Sequence, residues 1–297
     1  MTNMEDDAQA LTPTVALAPP TDRVPPHRTI IRPSARWVPI NFREMWAYRE
    51  LLFFLTWRDI KVRYKQTVLG AAWAVLQPVL TMVVFSIFFG RLAKLPSDGI
   101  PYPIFALSGL IPWQLFSYAL TQSSNSVVAN KNLISKVYFP RLIVPLAAVL
   151  SGLVDFAIAF AVLIVMMLYY GIAPGPAVIA IPLAILFTVV AALSVGLWLS
   201  ALNVRYRDVQ YTIPFLTQFW MFVTPIAYST TLVPERFRVV YGLNPMAGVV
   251  ECFRWALLGQ ARGSGSLMAI SAVVVLIAFF GGLVYFRKVE KTFADLA

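Results

Sequence analysis

"LNPMAGVVECFRWALLG", Leu243–Gly259, decides how this chain is built. Asn244 is placed to cap a helix, Pro245 suits its first turn and Gly259 suits its end. The 15 residues 245–259 at about 1.5 Å each reach about 22 Å. A hydrocarbon core is about 30 Å thick, so this helix does not cross one. It stands between two longer apolar runs and must therefore start and finish on one side. Either it dips in and returns together with the preceding "VPERFRVVYGL", or it lies flat on the outer leaflet. Glu251 and Arg254 stand three apart and can pair on one helical face.

The rest of the chain sets that segment in a membrane. Of 297 residues, 59% are hydrophobic and only 13% charged, against roughly a quarter charged in soluble domains. The charges cluster and leave long charge-poor runs, which makes an all-α integral membrane protein. Six runs are long enough to span: about 68–90, 102–121 (interrupted by Pro112), 142–170, 178–202, 211–229 (with Pro214 and Pro225) and 267–286. The flanks alternate in charge. One side carries 12 lysines and arginines and the other 6. The richer side is cytoplasmic, so both termini are cytoplasmic and the number of spans is even. Six spans fit.

Residues 1–36, acidic at Glu5–Asp7 and rich in proline, read as a disordered cytoplasmic tail rather than a signal peptide. Residues 37–67 read as an amphipathic helix. Asn41 and Glu44 form a capping box, and Phe42, Met45, Trp46, Phe53, Trp57, Ile60 and Tyr64 recur at helical spacing. Such a helix lies in the membrane interface, or packs on a core if one is there. Residues 68–290 form the six-span domain and 291–297 the cytoplasmic C-terminus.

No phosphate-binding G-x-x-x-x-G-K-[ST] run, nucleophile elbow or H-E-x-x-H motif is present. Cys252 is the only cysteine and His27 the only histidine. A disulfide within the chain, a metal cluster and a histidine-based triad are therefore not expected. Asp155, near the middle of the third span, is either a functional carboxylate or the partner of a cation on a neighbouring helix; the second reading is favoured.

Two cytoplasmic connections carry basic and aromatic residues. In "NSVVANKNLISKVYFPRL", Asn132 is placed to cap a short helix that Pro140 ends. "NVRYRDVQ" follows the fourth span. Both are handles for a partner, or loops that only set topology. Two spans carry mixed faces. Trp73, Gln77, Thr81, Phe85 and Phe88 share an arc of about 120° on the first span, counting 100° per residue. On the fifth, Tyr211, Phe215, Phe219 and Phe222 fall within about 80°, with Gln218 beside them. These faces serve helix packing, or a pathway for a hydroxylated substrate.

The blocks "WRDIKVRYKQTVLGAAWAVLQP", "LISKVYFPRLIVP", "GLWLSALNVRYRDVQY", "TPIAYS" and "LNPMAGVVECFRWALLG" resemble the permease subunits of ABC-2-type exporters. The closest branch is the O-antigen and teichoic-acid polysaccharide exporters. The resemblance covers about residues 41–290. It implies a homodimer of six-span permeases in a bacterial inner (plasma) membrane, working with two separate cytoplasmic ATPase subunits. ATP and magnesium would be bound by those subunits and no cofactor by this chain. The substrate would be a lipid-linked glycan, the surroundings membrane lipid, and no nucleic acid would be involved. By similarity, Lys131, Asn132, Lys136, Tyr138, Phe139 and Arg141 would carry the helix that couples to the ATPase. Arg205, Tyr206, Arg207 and Asp208 would form a second contact. The mixed faces of the first and fifth spans would line the pathway. Residues 233–259 would form short re-entrant helices that narrow its outer mouth, with Glu251 and Arg254 as an external gate.

Overall fold

The computed structural model describes residues 42–65, 70–259, 265–290 and Phe293. The expected tail, Asn41, the link at 66–69 and most of the C-terminal stretch lie outside the described residues. The described elements are helical. They are α1 (Phe42–Ala47), α2 (Arg49–Tyr64), α3 (Gly70–Phe85), α4 (Tyr102–Ala129), α5 (Lys131–Lys136) and α6 (Ile143–Tyr169), then α7 (Ile181–Arg205), α8 (Val209–Val223), α9 (Glu235–Gly242), α10 (Pro245–Leu258) and α11 (Gly265–Glu290). A π-helical stretch, Ser86–Leu92, prolongs α3, and short 3-10 turns lie at Pro176–Ala180 and Thr230–Leu232.

Among the described residues, five helical stretches are long and apolar enough to cross a bilayer: Ala72–Leu92, Tyr102–Ala129, Ile143–Tyr169, Pro176–Arg205 and Gly265–Glu290. The expected fifth span, 211–229, is not one continuous helix. It stops at Val223 because Thr224 precedes Pro225 and takes an extended conformation (φ −91°, ψ 140°). The proline ring disfavours helical geometry at the residue before it. Pro112 has the opposite outcome. It lies inside α4, which runs unbroken through it and extends the expected second span to Ala129. Neighbouring helices hold α4 along its length, and such packing tolerates a proline within a span.

α4 is the centre of the bundle. It packs on α6 and α7, and its side chains from Ile104 to Trp113 are all buried. Lipid offers little hydrophobic drive for helix association, so small residues and interhelical hydrogen bonds matter more. Gly152 of α6 seats the Tyr118 ring, where an added Cβ would meet Cδ1 at 2.5 Å. Asn203 of α7 donates to the Ser124 carbonyl (3.1 Å) and to Asn125 Oδ1 (2.9 Å), tying the ends of α7 and α4.

α2 packs along α6. It buries Leu55 among Val127, Ile134, Phe139 and Ile143, with Tyr48, Leu51 and Leu52 beside it. Trp46, Phe53, Phe54, Trp57 and Val62 stay exposed. The helix therefore has two apolar faces. The packed face of α2 holds Leu51, Leu52 and Leu55, which the periodicity did not single out, and the outward face holds Phe53 and Trp57; of the other residues it named, Met45 packs on the same cluster and Trp46 is exposed on α1.

Candidate functional site

The two basic connections come together at one end of the bundle. Parallel α4 and α7 end side by side, and the Asn203 bonds hold them there. α5 follows α4 after one residue. Its N-cap position is Asn130, not Asn132, because α4 persists to Ala129 and the chain re-enters helix at once. Asn132 therefore sits in the first turn of α5. Ile134 and Phe139 are buried and anchor the segment, while Lys131, Asn132, Lys136 and Tyr138 face outward. The Arg141 N–H donates to Glu290 Oε1 (3.3 Å), and its guanidinium lies 5.9 Å from the Phe293 ring. Arg205, Tyr206, Arg207 and Asp208 are all exposed at the same end.

α2 joins this end by charged bonds. Arg58 donates to Asn130 Oδ1 (2.9 Å), where α4 hands over to α5. Five residues on, Arg63 pairs with Asp155 of α6, and the Tyr64 hydroxyl donates to the other carboxylate oxygen. Arg63 also lies 3.9 Å over the Tyr118 ring, whose hydroxyl is 3.0 Å from Ser151 Oγ. Burial, then the bond to Asp155, pushes the Tyr64 phenol up to about 12, so it stays a neutral donor. Asp155 is thus the partner of a cation on a neighbouring helix.

The mixed face of α3 divides. Trp73, Gln77 and Thr81 line a cavity of about 740 Å³ bounded by α3, α4 and α6, with Met221 of α8 at its edge. Phe85 turns into the core, and Phe88, past the start of the π-helical stretch, is exposed. The face of α8 stays together. Tyr211, Phe215, Gln218, Phe219 and Phe222 all point outward. The outward face of α11 differs in kind, with Val273, Leu276, Ile277, Phe280 and Val284 and no polar side chain among them. The sequence reading passed over the α4 wall of the cavity, which includes Gln114, Tyr118, Thr121 and Gln122. At 100° per residue these four fall within about 100°, so a stripe count on the second span finds them.

The opposite end of the bundle is built around α10. Asn244 Oδ1 accepts from the Met246 N–H (3.0 Å), Pro245 opens the helix, and Gly259 closes it at φ 67°. Every residue from Pro245 to Arg254 is buried. Gly248 allows close approach to α11, since a Cβ there would lie 2.5 Å from that of Ser271. Glu251 and Arg254 both face the protein interior, but they do not pair directly. Glu251 accepts from the Thr230 hydroxyl (2.7 Å). Arg254 donates to the carbonyls of Ile226 (2.9 Å), Tyr228 (3.3 Å) and Phe105 (3.4 Å), and stacks 3.7 Å over the Phe105 ring. The direct pair expected from the three-residue spacing gives way because the irregular segment after α8 presents free carbonyls to the guanidinium. Tyr102 donates to the Ala227 carbonyl (2.6 Å) in the same segment.

Comparison with known proteins agrees with this architecture. Residues 50–258 match the ABC-2 type transporter family. The chain is 30% identical over 250 residues to the O-antigen export system permease protein RfbA of Klebsiella pneumoniae, covering 83% of this chain and 95% of that protein. It is 30% identical over 254 residues to RfbA of Myxococcus xanthus, covering 84% and 96%. It is 26% identical over 239 residues to the polysialic acid transport protein KpsM of Escherichia coli, covering 79% and 91%.

Proposed function

The chain belongs to the ABC-2 type transporter family, and from that premise we propose that it is the membrane subunit of an ATP-driven polysaccharide exporter. Its similarity to two O-antigen permeases and a polysialic acid transport protein over most of their lengths is the observation that carries this reading. Two copies associate in a bacterial inner (plasma) membrane with two cytoplasmic ATPase subunits, which bind ATP and magnesium. The cargo is a lipid-linked glycan taken up on the cytoplasmic side.

The geometry above supports the finer parts of this reading. α8 and the turn after it make the fifth of six crossings, which keeps both termini cytoplasmic. α9 and α10 dip into the membrane from the outer face and return. α2 is the interface helix. The anchored, outward-facing α5 is a lever whose Lys131, Lys136 and Tyr138 meet the ATPase, with Arg205–Asp208 as the second contact. ATP-driven closure of the ATPases pushes on this end and moves the spans above it. The α3 and α8 faces flank the glycan route. Glu251 and Arg254 hold the outer gate in shape.

The test is ATPase coupling. The chain in liposomes with its partner ATPase should stimulate ATP hydrolysis. Replacing Lys131, Lys136 and Tyr138 together with alanine should remove most of that stimulation. The buried anchors Ile134 and Phe139 stay intact in this variant, so insertion and thermal stability should hold. Unchanged stimulation would sink the assignment of α5.

A further inference from the structure

The cavity between α3, α4 and α6 carries five polar side chains that bond to none of the described residues. Gln77, Gln114 and Gln122 line it, each with a side-chain amide, alongside the Ser117 and Thr121 hydroxyls. None of these five side chains has a hydrogen-bond partner among the described residues. Elsewhere in α4 the serine hydroxyls are satisfied. Ser108, Ser123, Ser124 and Ser126 all bond back to their own helix. An amide facing hydrocarbon costs several kcal/mol unless something meets it. Acyl chains cannot. The occupant must therefore supply hydroxyls or water throughout.

Charge and shape narrow the occupant. Among the described residues, Arg63 and Asp155 are the only charged side chains lining the cavity, and they are bonded to each other. The pair carries no net charge, so the site does not select a phosphate. Trp73 and Trp113 add aromatic surface to the same lining. The volume, about 740 Å³, falls within the roughly 300–1,000 Å³ of small-molecule sites. Aromatic rings, amides and one neutralised charge pair form a lining suited to alternating C–H and O–H edges. We propose that this cavity, within one copy of the chain, binds a neutral, hydroxyl-rich segment of the glycan beside its route. The proposal takes from the export reading only that the cargo is a glycan. The α8 stripe, at which only Met221 touches the cavity, is a separate surface.

Photo-crosslinking in whole cells tests it. A photoreactive residue replaces Gln122 in the cavity, Phe215 on the outward α8 face, or Ile277 on the outward α11 face. The cells are fed a radiolabelled sugar that enters their surface polymer. Labelled glycan should attach at 122 and 215, and phospholipid alone at 277. Gln114→Leu, combined with the probe at 122, should cut the glycan adduct about tenfold, the weight of one lost hydrogen bond. The adduct at 215 should be unchanged in that variant. Gln77→Leu repeats the test from the α3 wall. If position 122 captures only phospholipid, only a second copy of the chain, or nothing, while 215 captures glycan, the cavity assignment fails and export stands. No glycan at either position removes both. An adduct at 122 that neither Gln→Leu variant weakens also overturns the assignment.

Discussion

Arg254 and Arg63 invite comparison, because each lies over an aromatic ring, at 3.7 Å and 3.9 Å respectively, with a carboxylate nearby. Their partners differ. Arg254 is 3% exposed and bonds to three backbone carbonyls, two of them in the irregular segment that follows α8. Arg63 keeps 29% of its side-chain surface and bonds to a carboxylate on another helix. Backbone that leaves helical geometry at membrane depth must find other donors for its carbonyls. Arg254 supplies them, which is how α8 can stop at Val223 without stranding Ile226 and Tyr228. Arg63 meets side chains, the Asp155 carboxylate and the Tyr118 ring. It joins α2 to α6, two helices that each satisfy their own hydrogen bonds. One arginine is part of the fold, and the other is a joint between parts.

The most severe way to break this comparison is to remove Arg254. Arg254→Ala takes the donor from the Ile226 and Tyr228 carbonyls and should cost about 3–5 kcal/mol. The folded yield in detergent should collapse, and any protein recovered should melt well below wild type. Arg254→Lys should rescue only part of this, because one ammonium cannot fork to carbonyls from Phe105 and from the segment after α8. An Arg254→Ala protein that melts within about 2 °C of wild type, a shift worth about 1 kcal/mol for a domain of this size, would remove the distinction.

A smaller effect separates the two charges of α10. Glu251 bonds to Thr230 and not directly to Arg254. Glu251→Gln keeps an oxygen for the Thr230 hydroxyl and should cost about 1 kcal/mol, on the scale of one altered hydrogen bond. A loss as large as that of Arg254→Ala would mean that the two charges act as one ion pair after all.

Much of this was legible in the sequence where the cause is local. Asn244, Pro245 and Gly259 announce the ends of α10 through capping chemistry that needs no neighbours, and the structure closes the helix there. The long apolar runs give five helices of spanning length for the same reason. The failures are all relational. Pro112 and Pro225 look alike in sequence, yet one lies inside a packed helix and the other ends one. The Glu251–Arg254 spacing permits a pair, but carbonyls more than 20 residues away claim the arginine first. The Arg63–Asp155 bond spans 92 positions. The cavity needed three helices to be visible at all, and its α4 wall drew no attention until α3 and α6 stood opposite it.

The finest test asks how loosely the joint is held. A half-exposed ion pair is screened by its surroundings, and pairs of this kind contribute about 0–1 kcal/mol. Asp155→Asn and Arg63→Gln should each lower the melting temperature only slightly. Arg63→Lys should do least of all, since lysine keeps the charge facing Asp155 and loses the stacking on Tyr118. A double-mutant cycle on Arg63→Gln and Asp155→Asn should return a coupling of about 1 kcal/mol or less. The reversed pair, Arg63→Asp with Asp155→Arg, should recover much of what either reversal alone loses. A coupling above about 3 kcal/mol belongs to a fully buried pair, and would place Arg63 with Arg254 as part of the fold. A small coupling leaves α2 free to shift along α6 at little cost.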